Sequence, residues 1–76
     1  MQIETAYARR ESLSANELER LLPALRDQVE RYREAIRGYN AKRMERYGEP
    51  YLKGLEAKVA DVVRLIGKKR ATGQVP

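Results

Sequence analysis

LERLLPALRDQVERYREAIRGY, residues 18–39, places Leu18, Leu22, Leu25, Val29, Tyr32, Ile36 and Tyr39 at the three-and-four spacing of one helical face. A second stripe with the same spacing, Leu52, Leu55, Val59, Val62 and Ile66, follows Gly48-Glu49-Pro50. Two amphipathic helices separated by a glycine and a proline predict an all-α fold, an antiparallel helical hairpin of a long kinked helix and a shorter one. Its stripes leave more apolar surface than one small hairpin covers, so it is expected to dimerise or dock into a helical bundle.

The start of the first helix is written in Ser14-Ala15-Asn16-Glu17, a capping box, with Leu13 and Leu18 at the positions of a hydrophobic staple. Pro23 lacks the donor for the carbonyl of Glu19 and costs ~3 kcal/mol inside a straight helix, so a kink or short break is expected there. From Ala24 to Tyr47 the residues favour helix apart from Gly38, with Asp27/Arg31 and Glu30/Arg33 at favourable spacings. Gly48 suits a helix C-terminus and Pro50 the first turn of the next helix. Lys68, Lys69 and Arg70 then lie near the negative end of the second helix dipole. The chain divides into an N-terminal arm or short helix over 1–13, a hairpin over 14–70 with its turn at 48–50, and a flexible tail over 71–76.

A reversal around Glu49 would pair Tyr39 with Val59, Ile36 with Val62 and Tyr32 with Ile66, each an a position against a d position. Near that turn the stripe slips: Arg43 and Arg46 fall on the seam with Met44 and Tyr47 beside it, which predicts a local rotation of the helix. The shorter return helix would reach only residues 28–47, leaving Leu18, Leu21, Leu22 and Leu25 without facing residues. At ~1.5–3 kcal/mol each on burial, these leucines need a cover, either residues 1–13 folded back or, as the favoured expectation, another protein chain.

Composition narrows the function classes. A 76-residue chain is one domain at most and sits where a single core is marginal. Having no cysteine and no histidine, it cannot build a disulfide framework, a zinc finger or imidazole catalysis. No apolar run approaches the roughly 18 residues of a membrane span and no signal-peptide stretch opens the chain, so a cytoplasmic location is expected. The net charge of +5 is uneven: residues 1–30 hold four basic and six acidic groups, residues 31–76 twelve basic and five acidic. A basic half attracts nucleic acid, anionic membrane or an acidic protein.

The glycines build no phosphate-binding loop, and Glu30/Glu34 read as solvated surface rather than an acid–base pair or metal site. No catalytic residue, metal, cofactor, small molecule or membrane role is expected. Arg33, Arg37, Lys42, Arg43, Arg46, Tyr47 and Tyr51 interleave cations with aromatics, a composition that grips phosphates and stacks on unpaired bases, or meets an acidic partner. Their bland reading is a solvated basic face, with Tyr32 and Tyr39 of the same stretch half-buried on the seam. Leu18, Leu21, Leu22 and Leu25 read as a partner-binding strip, whose bland counterpart is a structural homodimer seam.

The hairpin resembles in shape the plasmid copy-number regulators in which two helical hairpins pair and bind RNA loops. Ser14-x-x-Glu17-Leu18 with Leu25-Arg26-Asp27-Gln28 and Arg33 faintly resembles the two-helix ribosomal protein beside the exit tunnel, without that family's basic cluster at the second helix. Leu22-x-x-Leu25-Arg26 has the flavour of helical chorismate mutases, without a set of substrate-binding positions. None of these assigns a family. The expected function is a non-enzymatic protein–protein interaction module, a regulator, inhibitor or adaptor that binds through the leucine strip and the basic, tyrosine-rich tip. The alternative is a dimeric RNA- or DNA-binding hairpin.

Overall fold

The structure, a computed structural model, describes residues 2–72. Among them every regular element is helical: α1 (Ile3–Ala8), a 3-10 turn (Arg10–Ser12), α2 (Ala15–Ala35), α3 (Ala41–Arg43), a π-helical segment (Met44–Gly48) and α4 (Glu49–Ala71). The last three run on without a break as one return helix, about 46 Å long at ~1.5 Å per residue. It accounts for most of the 51 Å long axis of the molecule. α2 lies antiparallel to it, with Glu19 paired to Arg70 at one end and Arg33 to Glu56 towards the other.

The beginning of α2 follows the capping box. Ser14 Oγ accepts from the Glu17 N–H at 3.1 Å, and Glu17 Oε1 accepts from the Ser14 N–H at 2.9 Å. Leu13 and Leu18 are buried in one cluster, as a staple requires. Pro23 lies inside α2, which is continuous there, so of the kink or short break expected the break is absent. Leu18, Leu21 and Leu25 flank the proline and are all buried. At ~1.5–3 kcal/mol each, their burial outweighs the ~3 kcal/mol cost of the missing donor.

The turn is not at 48–50. α2 ends at Ala35 and the chain reverses through residues 36–40, held by the Tyr39 N–H donating to the Ile36 carbonyl at 3.0 Å. Asn40 then opens the return helix, its Oδ1 accepting from the Arg43 N–H at 2.8 Å. Gly48, Glu49 and Pro50 lie within that helix at its π turn. There the Glu49 N–H reaches back five residues to the Met44 carbonyl. The wider turn sits immediately before Pro50, whose ring would crowd the carbonyl four residues back in a regular α-helix. Gly48 serves close packing rather than reversal: a Cβ there would lie 2.5 Å from Met44 Sδ, 3.3 Å from Tyr39 Cδ2 and 3.4 Å from Ile36 Cδ1.

Moving the turn exchanges the two helix lengths, so α2 is the shorter and the return helix the longer. It also replaces the expected register. Tyr32 packs against Tyr51, with ring centroids 4.7 Å apart, and Ile36 and Tyr39 lie over Gly48 rather than opposite Val62 and Val59. A π-helical segment lies close to where the slip was expected, but on the return helix and against a different register.

Residues 3–13 cover the leucines. Ala6 and Leu13 join Leu18, Leu21, Leu25, Val62 and Leu65 in one core, with Ile3, Tyr7, Leu22, Val59 and Ile66 packed against it. Polar contacts fix the arm: Arg10 Nε lies 2.6 Å from Asp61 Oδ2, and the Tyr7 hydroxyl donates to the same oxygen at 3.1 Å. The Arg10 guanidinium also stacks 4.2 Å from the centre of the Tyr7 ring. At the foot of the hairpin, Lys69 Nζ donates to the carbonyls of Glu11 at 2.7 Å and Leu13 at 2.5 Å. Of the tail expected over 71–76, Ala71 is the last residue of α4 and Thr72 its cap. Residues 73–76 lie outside the described residues.

Candidate interaction surface

Burial corrects the leucine strip first. Leu18 and Leu25 are 0% and 1% exposed, Leu21 is buried and Leu22 is half-buried against the same core. The arm fills the space assigned to a partner, so these four side chains hold the fold together. A helical stripe cannot distinguish an intramolecular cover from an intermolecular one, because both need the same apolar residues at the same spacing.

The basic and aromatic residues divide by where the chain reverses. Arg33 and Arg37, on the α2 side, are neutralised: Arg33 meets Glu30 at 3.3 Å and Glu56 at 2.5 Å, and Arg37 meets Glu34 at 3.4 Å. Arg31 likewise meets Asp27. Lys42, Arg43 and Arg46, past the turn, make no ion pair with the described residues. Arg43 instead stacks its guanidinium 4.3 Å from the centre of the Tyr39 ring. At the tip, Tyr47 and Tyr51 are 61% and 56% exposed, large aromatic faces left in water by the structured chain.

A local framework holds those faces. Tyr47 and Tyr51 are four residues apart on the return helix and so share a side of it. Tyr32 reaches across from α2, its hydroxyl donating to the Tyr47 carbonyl at 3.4 Å while its ring leans on Tyr51 at 56°. Burial, with the neighbouring Tyr39 and Tyr51, raises the Tyr32 phenol above its ordinary range, so it remains a neutral donor. Tyr32, Arg46, Tyr47, Pro50 and Tyr51 together line an open cleft of about 700 Å³.

Tyr32 and Tyr51 also form one end of a smaller cleft of about 270 Å³, whose other walls are Gln28, Arg31, Ala35 and Leu55. Gln28 Oε1 is sealed from solvent there without a hydrogen-bond donor among the described residues. An orphaned buried acceptor costs ~1–3 kcal/mol, and this is the one such side-chain atom among the described residues. Gln28, Tyr32, Pro50 and Leu55 were not read as site residues. Their place depends on the turn lying at 36–40, which the tertiary packing selects.

The carboxylate with the most partners is Asp61. Hydrogen bonds from Arg64, Tyr7 and Arg10 hold it below the ordinary carboxylate range. Of these partners, Tyr7 and Arg10 tie the arm down, a structural use. Among the described residues no group of three His, Cys, Asp or Glu side chains could hold a metal ion. No helix among them is long and apolar enough to cross a membrane.

Fold and surface together define an all-α helical hairpin, closed at its foot by a short N-terminal helix and carrying an exposed tyrosine–arginine tip. No protein-family model matches the chain, and neither does any curated protein or solved structure.

Proposed function

We propose that this chain is a small non-enzymatic binding module that docks its hairpin tip on an acidic surface of another protein, as a regulator, inhibitor or adaptor does. The exposure of Tyr47 and Tyr51 beside Arg46, on a framework fixed by Tyr32, carries the reading. Tyrosine and arginine supply most binding energy at protein interfaces because each buries a large rigid face and still offers a polar end. Lys42, Arg43 and Arg46 add positive charge that steers an acidic partner to the tip. With neither histidine nor cysteine in the chain, imidazole bases and thiol nucleophiles are missing, in keeping with a binding role.

A second reading, single-stranded RNA or DNA binding, is favoured by the same unpaired cations flanking two stackable rings. The two separate in a direct test. Tyr47→Ala with Tyr51→Ala should abolish capture of the native partner while far-UV circular dichroism stays unchanged, and the wild-type protein should leave single-stranded RNA unshifted at moderate salt. Full capture by the double variant sinks the tip as a binding site. RNA binding whose logarithm falls steeply with that of salt concentration replaces the protein partner by nucleic acid.

A further inference from the structure

We infer that the open half of the α2/α4 seam, on the side where α1 lies, seats an acidic amphipathic helix of the partner protein, end to end with α1. The inference rests on the protein-binding reading above and specifies the partner's form.

The two faces of the seam are finished differently. One is bridged by ion pairs from α2 to α4, Glu19 to Arg70 and Arg33 to Glu56. On the other face no ion pair among the described residues joins α2 to α4. There α1 covers the seam at the foot, seated by Tyr7 and Arg10 on Asp61. Beyond α1 the seam lies open as the Gln28–Leu55 cleft, which runs through Tyr32 and Tyr51 into the cleft at the tip. The groove lies along the same seam as a seat that a helix already occupies, which suits a second helix laid in line with α1.

Chemistry along the groove specifies that helix. Gln28 lines the groove with its Oε1 turned inward, sealed and without a donor among the described residues; rotation of the side chain presents that acceptor to a donor of the occupant. Lys58 stands at the inner end, its Nζ 5.2 Å from the centre of the Tyr7 ring, and Arg46 at the outer end. Neither makes an ion pair among the described residues. Twelve positions of helix separate them, about 18 Å at ~1.5 Å per residue, so a matching occupant carries acidic groups about three turns apart. A second copy of this chain suits the groove poorly. Tip against tip would bring Lys42, Arg43 and Arg46 against their counterparts on chains that each carry a net charge of +5.

The test is a titration of the isotope-labelled full chain, followed by amide NMR, with a synthetic amphipathic peptide of about 20 residues bearing leucines on one face and glutamates on the other. The expected result is movement of the Gln28 side-chain amide, Ala35 and Leu55, with Glu56 and Val63 on the ion-paired face unmoved. Gln28→Leu should then weaken the peptide about fivefold, the worth of one hydrogen bond, while raising the melting temperature of the free protein. Shifts confined to Lys42, Arg43 and Tyr47 would overturn the groove and leave the tip reading standing. Absence of any shift would overturn both. A single-stranded oligouridylate moving Gln28 and Leu55 where the peptide does not would assign the groove to nucleic acid. Groove shifts that grow with protein concentration alone would assign it to a second copy.

Discussion

Three glycines of the return helix, changed one at a time to alanine, test where this chain turns. Gly54 and Gly67 lie within α4, and a Cβ at either meets nothing within 4 Å. Each alanine should therefore stabilise the protein by the full helix-propensity difference, about 0.8–1 kcal/mol. Gly48 has the same gain to offer, but its Cβ would meet Met44 Sδ at 2.5 Å and sit tightly on Tyr39 and Ile36. The Met44 thioether can swing away. Tyr39 and Ile36 belong to the reversal itself and can withdraw only by loosening it, an overpacking cost of ~1–3 kcal/mol. The net effect of Gly48→Ala is a loss of about 1 kcal/mol, separated by about 2 kcal/mol from the other two variants. In a domain of this size that separation is roughly 8–16 °C in Tm, readily resolved by far-UV circular dichroism melts checked against urea midpoints. Should Gly48→Ala stabilise as much as Gly54→Ala, then Ile36 and Tyr39 do not pack on Gly48 and the reversal at 36–40 is wrong.

Leu18→Ala and Leu25→Ala should each cost ~2–5 kcal/mol in urea denaturation, because both side chains are sealed in the core; a cost below 1 kcal/mol would mean that the arm does not cover them. Removing the cap with Ser14→Ala should cost about 1 kcal/mol and raise the Glu17 carboxyl only part of the way to its ordinary range in an NMR pH titration, because the backbone N–H of residue 14, the larger cause of its lowering, remains while the hydroxyl is lost. Asp61 is held low when folded, so its stabilisation is fully present above the ordinary aspartate pKa and fades as the pH falls through the lower, folded value. Asp61→Asn should therefore destabilise the arm at neutral pH and lose its effect in acid, measured by hydrogen exchange at Ala6 and Tyr7. Equal effects at both ends of the range would remove Asp61 as the anchor.

Spacing along the chain fixed the all-α class, the start of the first long helix and most of the apolar residues that become buried. The capping box at Ser14, both apolar stripes, the i,i+3 and i,i+4 ion pairs and the phase slip near Met44 all rest on spacing along one chain. Local physics decides these, and their signals lie within a turn or two of helix. Excluding histidine and cysteine chemistry required nothing beyond the inventory. What the tertiary structure alone decided was where the chain reverses and what meets what.

Gly48-Glu49-Pro50 and Gly38-Tyr39-Asn40 are both credible turns by local chemistry. They differ in the packing that follows: only the second lets Ile36 and Tyr39 close on Gly48 and brings Tyr32 to Tyr51. Asn40 caps the return helix with its side chain, which a residue of this type does equally well at many polar positions. Proline proved compatible with a helix because the π turn before it makes room for its ring. The cover over Leu18, Leu21 and Leu25 was likewise a tertiary matter. Tyr7 and Arg10 reach Asp61 across more than 50 residues of sequence, and no periodicity encodes a contact at that range. By satisfying the leucines within the chain, that contact moved the candidate binding surface from the leucine strip to the tyrosine–arginine tip and the groove beside Gln28.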